Sequence, residues 1–333
     1  MYRYIIAALC ISSLLVPASL LCRDTGASGT DKESEATGNG WFKLYNEGWT
    51  LRPNGGFKKF SFSLLNTDTG REIRYTPNVN LGLGCKFVYK AFGLGFTAAV
   101  PNTSDPDRGD SQYVDLQFTF PLGKHGFDIT YQNYSGFYIE DEHLKDLNGG
   151  EYVTYPDLAG ALIEFRYYYA FNINFSMKSA FNQTARQLKN AGSWLLGTSV
   201  NAFIVSQGGG FIPSQYQPEF AILTGLDAMV FTGIGISGGY AYTWVYSNDW
   251  FFTPAFLLGL NFETQTYYIA GGEYTQQVPF NPKTSLKLSV GRHKDSYYYG
   301  ASLVQNNILA QTTEHIQFSG TTFNLNFYYG IRL

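Results

Sequence analysis

Large apolar or aromatic side chains alternate with small or polar ones along most of this chain. A two-residue period commits the backbone to extended strands, in which successive side chains point to opposite faces. From Gly233 to Tyr246, the positions Ile234, Ile236, Tyr240, Tyr242, Trp244 and Tyr246 share one face, and Gly233, Gly235, Ser237, Gly239, Ala241 and Thr243 share the other. After a Ser247-Asn248-Asp249 turn, Trp250, Phe252, Phe256, Leu258, Leu260 and Phe262 oppose Thr253, Ala255, Gly259 and Asn261. One face is greasy and the other is small and weakly polar.

Charged residues keep to the second face. Val114, Leu116, Phe118 and Phe120 oppose Asp115; Phe127, Ile129 and Tyr131 oppose Asp128; Ile163, Phe165 and Tyr167 oppose Glu164 and Arg166. Phe175 and Met177 oppose Lys178, and Leu286, Leu288 and Val290 oppose Lys287. A soluble sandwich would also alternate, burying its greasy face. Aromatic segment ends, an exported N-terminus and the lack of any helical layer favour a membrane instead. In a bilayer every backbone polar group must pair within the protein, so the sheet has to close. The expected fold is all-β, a transmembrane antiparallel β-barrel of about 12 strands within a range of about 10–14. Lys86, Asp115, Asp128, Glu164, Arg166, Lys178 and Lys287 are then the candidate lumen-lining residues.

Alternating segments fall near 57–65, 78–89, 91–100, 112–121, 125–137, 157–168, 171–182, 194–205, 233–246, 250–262, 284–292, 296–306 and 321–333. Bacterial single-chain barrels have an even number of strands. The alternation breaks between 183 and 232: either a strand hides in 219–231, giving fourteen, or a neighbouring segment is not a strand, giving twelve. Short links at 90–91, 124–125, 247–249 and 293–295 read as turns at one end; 66–77, 101–111, 138–156, 263–283 and 307–320 read as long loops at the other.

A short basic start and an apolar run from Ile5 to Val16, followed by Pro17, Ala18 and Ser19, read as a secretory signal over residues 1–22 with cleavage after Ala18. Cys22 offers lipidation as an alternative, although Leu21 before it is not the small residue such a signal favours. Residues 23–48 are small, polar and aperiodic, as in a disordered tether, and the barrel is expected over 49–333. With three cysteines a disulfide framework is excluded, and a net charge of -3 argues against nucleic acid as a partner. The expected location is the bacterial outer membrane, with outer-membrane lipid as a partner.

The last segment places Phe323, Leu325, Phe327, Tyr329, Ile331 and Leu333 on one face up to the final residue. Phe327, Tyr329, Ile331 and Leu333 resemble the recognition strand read by the outer-membrane barrel assembly machinery, although an aromatic is commoner than Leu333 at the end. An ordinary closing strand would alternate in the same way.

Tyr75-Thr76-Pro77-Asn78, Leu81-Gly82-Leu83-Gly84, Tyr89-Lys90-Ala91-Phe92-Gly93-Leu94-Gly95, Gly136-Phe137-Tyr138, Ala191-Gly192-Ser193-Trp194-Leu195-Leu196-Gly197, Phe211-Ile212-Pro213 and Gly238-Gly239-Tyr240-Ala241-Tyr242-Thr243 follow one another along the chain. Each string is weak alone; their order resembles the domain of unknown function 4421 family, exported barrels found mainly in Bacteroidetes, over about residues 49–333. That resemblance implies location and fold and carries no catalytic residue.

Barrel enzymes need a His beside Ser or Asp near the external rim. His125 and His293 fall in short turns at the wrong end, His143 lies in the acidic run Glu140-Asp141-Glu142-His143, and His315 follows Glu314. Glu140, Asp141, Glu142, His143 and Asp146 match no fixed cation loop. Gly208-Gly209-Gly210 lacks the Lys and Ser/Thr of a phosphate loop and reads as a flexible link. No catalytic, cofactor-binding or metal site is assigned, and no cofactor is expected. The porin-like expectation is a narrow channel or structural barrel for small solutes, with no solute identified. The alternative is a surface enzyme acting on lipid or peptide through His143 or His315.

Overall fold

The computed structural model describes residues 40–333, apart from 46–47, 80, 91, 102, 248, 270 and 312–314. The expected signal segment, its Ala18 cleavage position, Cys22 and the tether up to residue 39 lie outside the described residues.

Among the described residues fifteen strands follow in order: β1 (Phe42–Leu44), β2 (Trp49–Asn66), β3 (Glu72–Thr76), β4 (Gly82–Tyr89), β5 (Phe92–Ala99), β6 (Gln112–Leu122), β7 (His125–Ile139), β8 (Thr154–Ala170), β9 (Ala185–Gln187), β10 (Ala191–Ser206), β11 (Ala228–Tyr246), β12 (Trp250–Ile269), β13 (Gly272–His293), β14 (Tyr297–Gln311) and β15 (Ile316–Arg332). One short helix, α1 (Glu142–Leu147), lies between β7 and β8. Setting aside β1, β3 and β9, the other twelve pair with their neighbours in an unbroken antiparallel ring, closed where β15 meets β2. The seam is bonded to the last residue, with Trp49 N donating to Leu333 O and Leu333 N to Trp49 O.

The outside of this ring is apolar. Trp194 is 66% exposed, Ile234 62% and Leu258 57%, and such residues continue round the wall through Phe57, Leu94, Phe256 and Phe327. A folded chain in water does not expose a continuous belt of this kind; hydrocarbon is the solvent it matches. Aromatic side chains ring the end carrying the termini, with Trp49 stacked on Tyr89 at 4.5 Å and Tyr297 on Tyr329 at 6.0 Å. The molecule is a transmembrane β-barrel. Positive φ at Lys90, Gly123 and Ser247 marks tight turns at this terminal end.

The far end is narrower. β3 pairs with the upper part of β2 through Phe62–Leu65 and touches β7 at Ile139 and Tyr138, so one strand bridges a gap that β4, β5 and β6 fill below it. Gly136, at φ +77, carries the bulge that bends β7 towards β3, and a Cβ there would lie 2.1 Å from Asp110 O. The far half of the interior is a hydrophobic core. Phe60, Phe62, Tyr75, Phe203 and Phe318 pack there against Phe211, Phe220, Leu223 and Leu226 from the 207–227 connection between β10 and β11.

Several expectations need correction, beginning with the 66–77 link, which holds β3. Residues 171–182 are not a wall strand: with 183–190 they fold into the terminal mouth as a plug containing a helical turn, Lys178–Asn182, and β9. Local polar contacts divert this backbone, with Asn174 N donating to Asn172 Oδ1 and Ser179 N to Ser176 Oγ. Removing that segment leaves the count at twelve, and no strand hides in 219–227; β11 simply begins at Ala228. The 263–283 stretch is not a loop, because β12 and β13 run on as a hairpin with polar residues on both faces beyond the lipid belt. The 23–48 tether also ends early: Phe42–Leu44 forms β1, which pairs with β9 of the plug.

Candidate functional site

Alternation along each wall strand decides which side chains meet inside. Arg52 and Lys58 on β2, Lys86 on β4, Asp115 on β6, Asp128 on β7, Glu164 and Arg166 on β8, and Lys283 and Lys287 on β13 all face inward in the terminal half. Buried charge is tolerable only when paired and hydrogen-bonded, and most of these are. Lys58 Nζ lies 2.7 Å from Asp115 Oδ2, which also accepts from Gln132 Nε2 at 2.7 Å. Glu164 accepts from Lys283 Nζ at 2.6 Å and from Arg166. Lys287 Nζ is 3.9 Å from Asp128 and donates to Tyr168 OH at 3.2 Å.

Arg52 and Lys86 differ. They stand directly opposite each other across the β2–β4 ladder. Among the described residues neither forms an ion pair with a carboxylate. Arg52 Nη1 donates to Gln183 Oε1 at 2.9 Å, and Lys86 Nζ to Thr119 Oγ1 at 2.9 Å and to Asn182 Oδ1. Both amide partners belong to the plug.

Between plug and aromatic core lies a cavity of 180 Å³. Its floor is Met177, Ala180, Phe181, Asn182 and Gln183; its wall includes Arg52, Lys86, Asp128, Glu164, Arg166 and Lys287. The plug is held by β1–β9 pairing, by Arg186 on Asp249 at 3.0 Å, and by Arg332, which donates to Gln183 O and stacks over Tyr45 at 3.7 Å. Lys178 starts the helical turn of the plug rather than extending from a wall strand.

Alternation alone does not single out Arg52, Lys58 or Lys283. Arg52 precedes Pro53, Lys58 sits in a Lys58-Lys59 pair that hides its parity, and Lys283 follows Pro282 in what reads as a loop. His293 is not a turn residue: it is buried on the inner face of β13 against Phe251 and Tyr298. His143 is exposed on α1. His315 Nδ1 lies 2.9 Å from Asp68 Oδ2, with the side chains 60% and 61% exposed, so this is a solvent-screened rim contact. Among the described residues no three His, Cys, Asp or Glu side chains group to hold a metal.

The profile of the family described as domain of unknown function (DUF4421) matches residues 41–332. This chain belongs to the DUF4421 family. The match takes in β1, so the plug and its partner strand are part of the DUF4421 unit and not an appendage. No curated protein matches the chain. Among solved structures, the β domain of the Bordetella autotransporter BrkA is 12% identical, with 86% of this chain and 100% of that one covered at a TM-score of 0.38. The Pseudomonas putida toluene transporter TodX is 8% identical over 86% and 90% at 0.30. The translocator domain of the autotransporter NalP from Neisseria meningitidis is 6% identical over 91% and 95% at 0.33. At these values nothing about the activity of this DUF4421 chain follows from the likeness.

Proposed function

We propose that this DUF4421 protein is a bacterial outer-membrane barrel for a small polar solute, closed to free diffusion and loaded from its terminal end. One observation carries the reading: a cavity of 180 Å³ with six charged side chains in its wall is kept between two inserted segments inside an otherwise filled barrel. Termini and short turns face the periplasm in such barrels, so 171–190 is the periplasmic plug and 207–227 the outer one. The outward row Phe327, Tyr329, Ile331 and Leu333 is the strand the assembly machinery would read, and it is exposed to lipid.

The two plugs differ in what holds them. Phe211, Phe220, Leu223 and Leu226 are fully buried. At about 1.5–3 kcal/mol for each such side chain, withdrawing the outer segment costs on the order of 10 kcal/mol. The periplasmic plug buries fewer large apolar side chains, Phe175 and Met177, and its polar contacts to the chamber wall run through Asn182 and Gln183, whose hydrogen bonds water can replace. It is therefore the side from which a solute enters.

In planar bilayers the purified protein is expected to show no steady open level; a porin-like conductance overturns closure. Ser302 lines the chamber. With Ser302→Cys as the only cysteine, a small thiol reagent should react slowly, and about tenfold faster when Arg186→Ala loosens the plug or when residues 174–187 are replaced by a short Gly-Ser turn. Equal rates in all three proteins, each confirmed as folded by heat-modifiable migration, overturn entry past the plug.

A further inference from the structure

The chamber holds more positive charge than its wall can neutralise. Arg52, Lys86, Arg166 and Lys287 face Asp128 and Glu164, four cations against two carboxylates, and Glu164 is shared with a further cation, Lys283. The excess is concentrated at one place. Arg52 and Lys86 are direct cross-strand neighbours, an arrangement that like charges disfavour, and both are buried. Gln183, Asn182 and Thr119 hold the two side chains by hydrogen bonds but bring no charge. The Tyr328 ring, 5.1 Å from the Arg52 guanidinium, orients it in the same neutral way.

Spare donors line the same chamber. Arg52 Nε, Asn182 Nδ2 and Arg166 Nε are buried with no hydrogen-bond partner among the described residues. All three residues line the chamber. Unmet buried donors beside unneutralised cations favour an acceptor that carries negative charge. The guanidinium fork of Arg52 suits the paired oxygens of a phosphate or carboxylate. Size narrows the class: a cavity of about 150 Å³ takes a benzene-sized ligand, so 180 Å³ suits a compact ion and excludes a polymer or a lipid tail.

We propose that the chamber is a binding site for a small oxyanion, a free phosphate or a short carboxylate, held between Arg52 and Lys86 and bounded on the plug side by Asn182. This rests on the reading of the chamber as a solute site and names the class of solute.

Equilibrium dialysis of the folded full chain in detergent against radiolabelled phosphate, at ionic strength fixed with chloride, tests it; labelled acetate run in parallel separates phosphate from carboxylate. Saturable binding of at least one of them is expected. Arg52→Gln and Lys86→Gln should each weaken it about tenfold, because each removes one charged contact. Arg52→Lys should weaken it less, and Lys59→Gln, on the outer face of β2, should leave it unchanged. Heat-modifiable migration confirms that each variant is folded. Lys86→Gln also relieves the repulsion with Arg52, so its ligand-free barrel should melt no lower than the parent, whereas a merely structural lysine would lower the melting temperature. Absence of saturable binding to either anion, or equal binding in Arg52→Lys and Lys86→Gln, overturns the oxyanion site. The Ser302→Cys labelling rates report plug movement without any anion, so their failure overturns the entry route and leaves this result standing.

Discussion

Asp115 is 1% exposed and Lys58 3%, and each is the other's only ion-pair partner among the described residues. Such a pair adds little net stability over an apolar pair of similar volume, but removing one member strands the other charge in a low-dielectric interior. Asp115→Ala should therefore destabilise the barrel by about 3–5 kcal/mol. Replacing both, as Lys58→Met with Asp115→Leu, should recover most of that loss. Urea unfolding of vesicle-refolded protein measures it; if the double variant is as weak as the single one, the pair does more than neutralise itself. Asp115 is legible in the sequence because clear alternation flanks it, whereas its partner is not, since Lys58 and Lys59 offer both parities at once.

Among the elements, the plug formed by residues 171–190 has an attachment that depends on pH. The Asp249 carboxyl, in the turn before β12, is held below its ordinary value of 3.8 by the hydrogen bond from Lys294, with Arg292 and Arg186 adding to the effect against some desolvation. A depressed folded-state value contributes stability above the ordinary carboxylate range, and that stability is lost as pH falls through the folded value. Hydrogen-exchange protection of β9 should therefore stay constant from pH 8 to 5 and fall only below about pH 4. Loss of protection near pH 6 would point to a different clamp.

The same plug shows where an alternating pattern misleads. Phe175 and Met177 alternate with Asn174, Ser176 and Lys178 as a wall strand would, because a segment packed on a barrel interior also has one apolar and one polar side. Only the density of Asn and Ser, which bond their own backbone, distinguishes it, and that signal is local and weak. The β12–β13 hairpin fails to read as strand for the opposite reason. There Glu263 and Gln265 on the inner face are as polar as Thr264 and Thr266 on the outer one, and the contrast that marks a spanning strand disappears.

For the whole molecule, the wall was legible because hydrocarbon imposes one chemistry on every outward position, from Phe57 on β2 to Phe327 on β15. The interior obeys no single rule: aromatics fill one half and paired charges the other, and which loops enter depends on contacts far apart in sequence. That difference gives a direct test of the solvent. Leu258 is outward and 57% exposed on β12, opposite Gly238 of β11. Were this barrel a water-soluble exported protein, Leu258→Arg would be an exposed surface change worth no more than about 0.5 kcal/mol. In a bilayer the same arginine on the lipid face costs about 2–4 kcal/mol near the midplane and less towards either interface. Glu72 of β3 lies at the far end, outside the apolar belt, where its ion pair with Arg74 is solvent-screened, so Glu72→Arg should cost no more than about 1 kcal/mol in either case. Unfolding of both variants refolded into lipid vesicles separates the alternatives. A large loss for Leu258→Arg beside a small one for Glu72→Arg fits a spanning wall, and two small losses are incompatible with it. Repeating the arginine substitution at Phe256, Leu258 and Leu260, which share the outward face, would locate the midplane as the position of greatest loss.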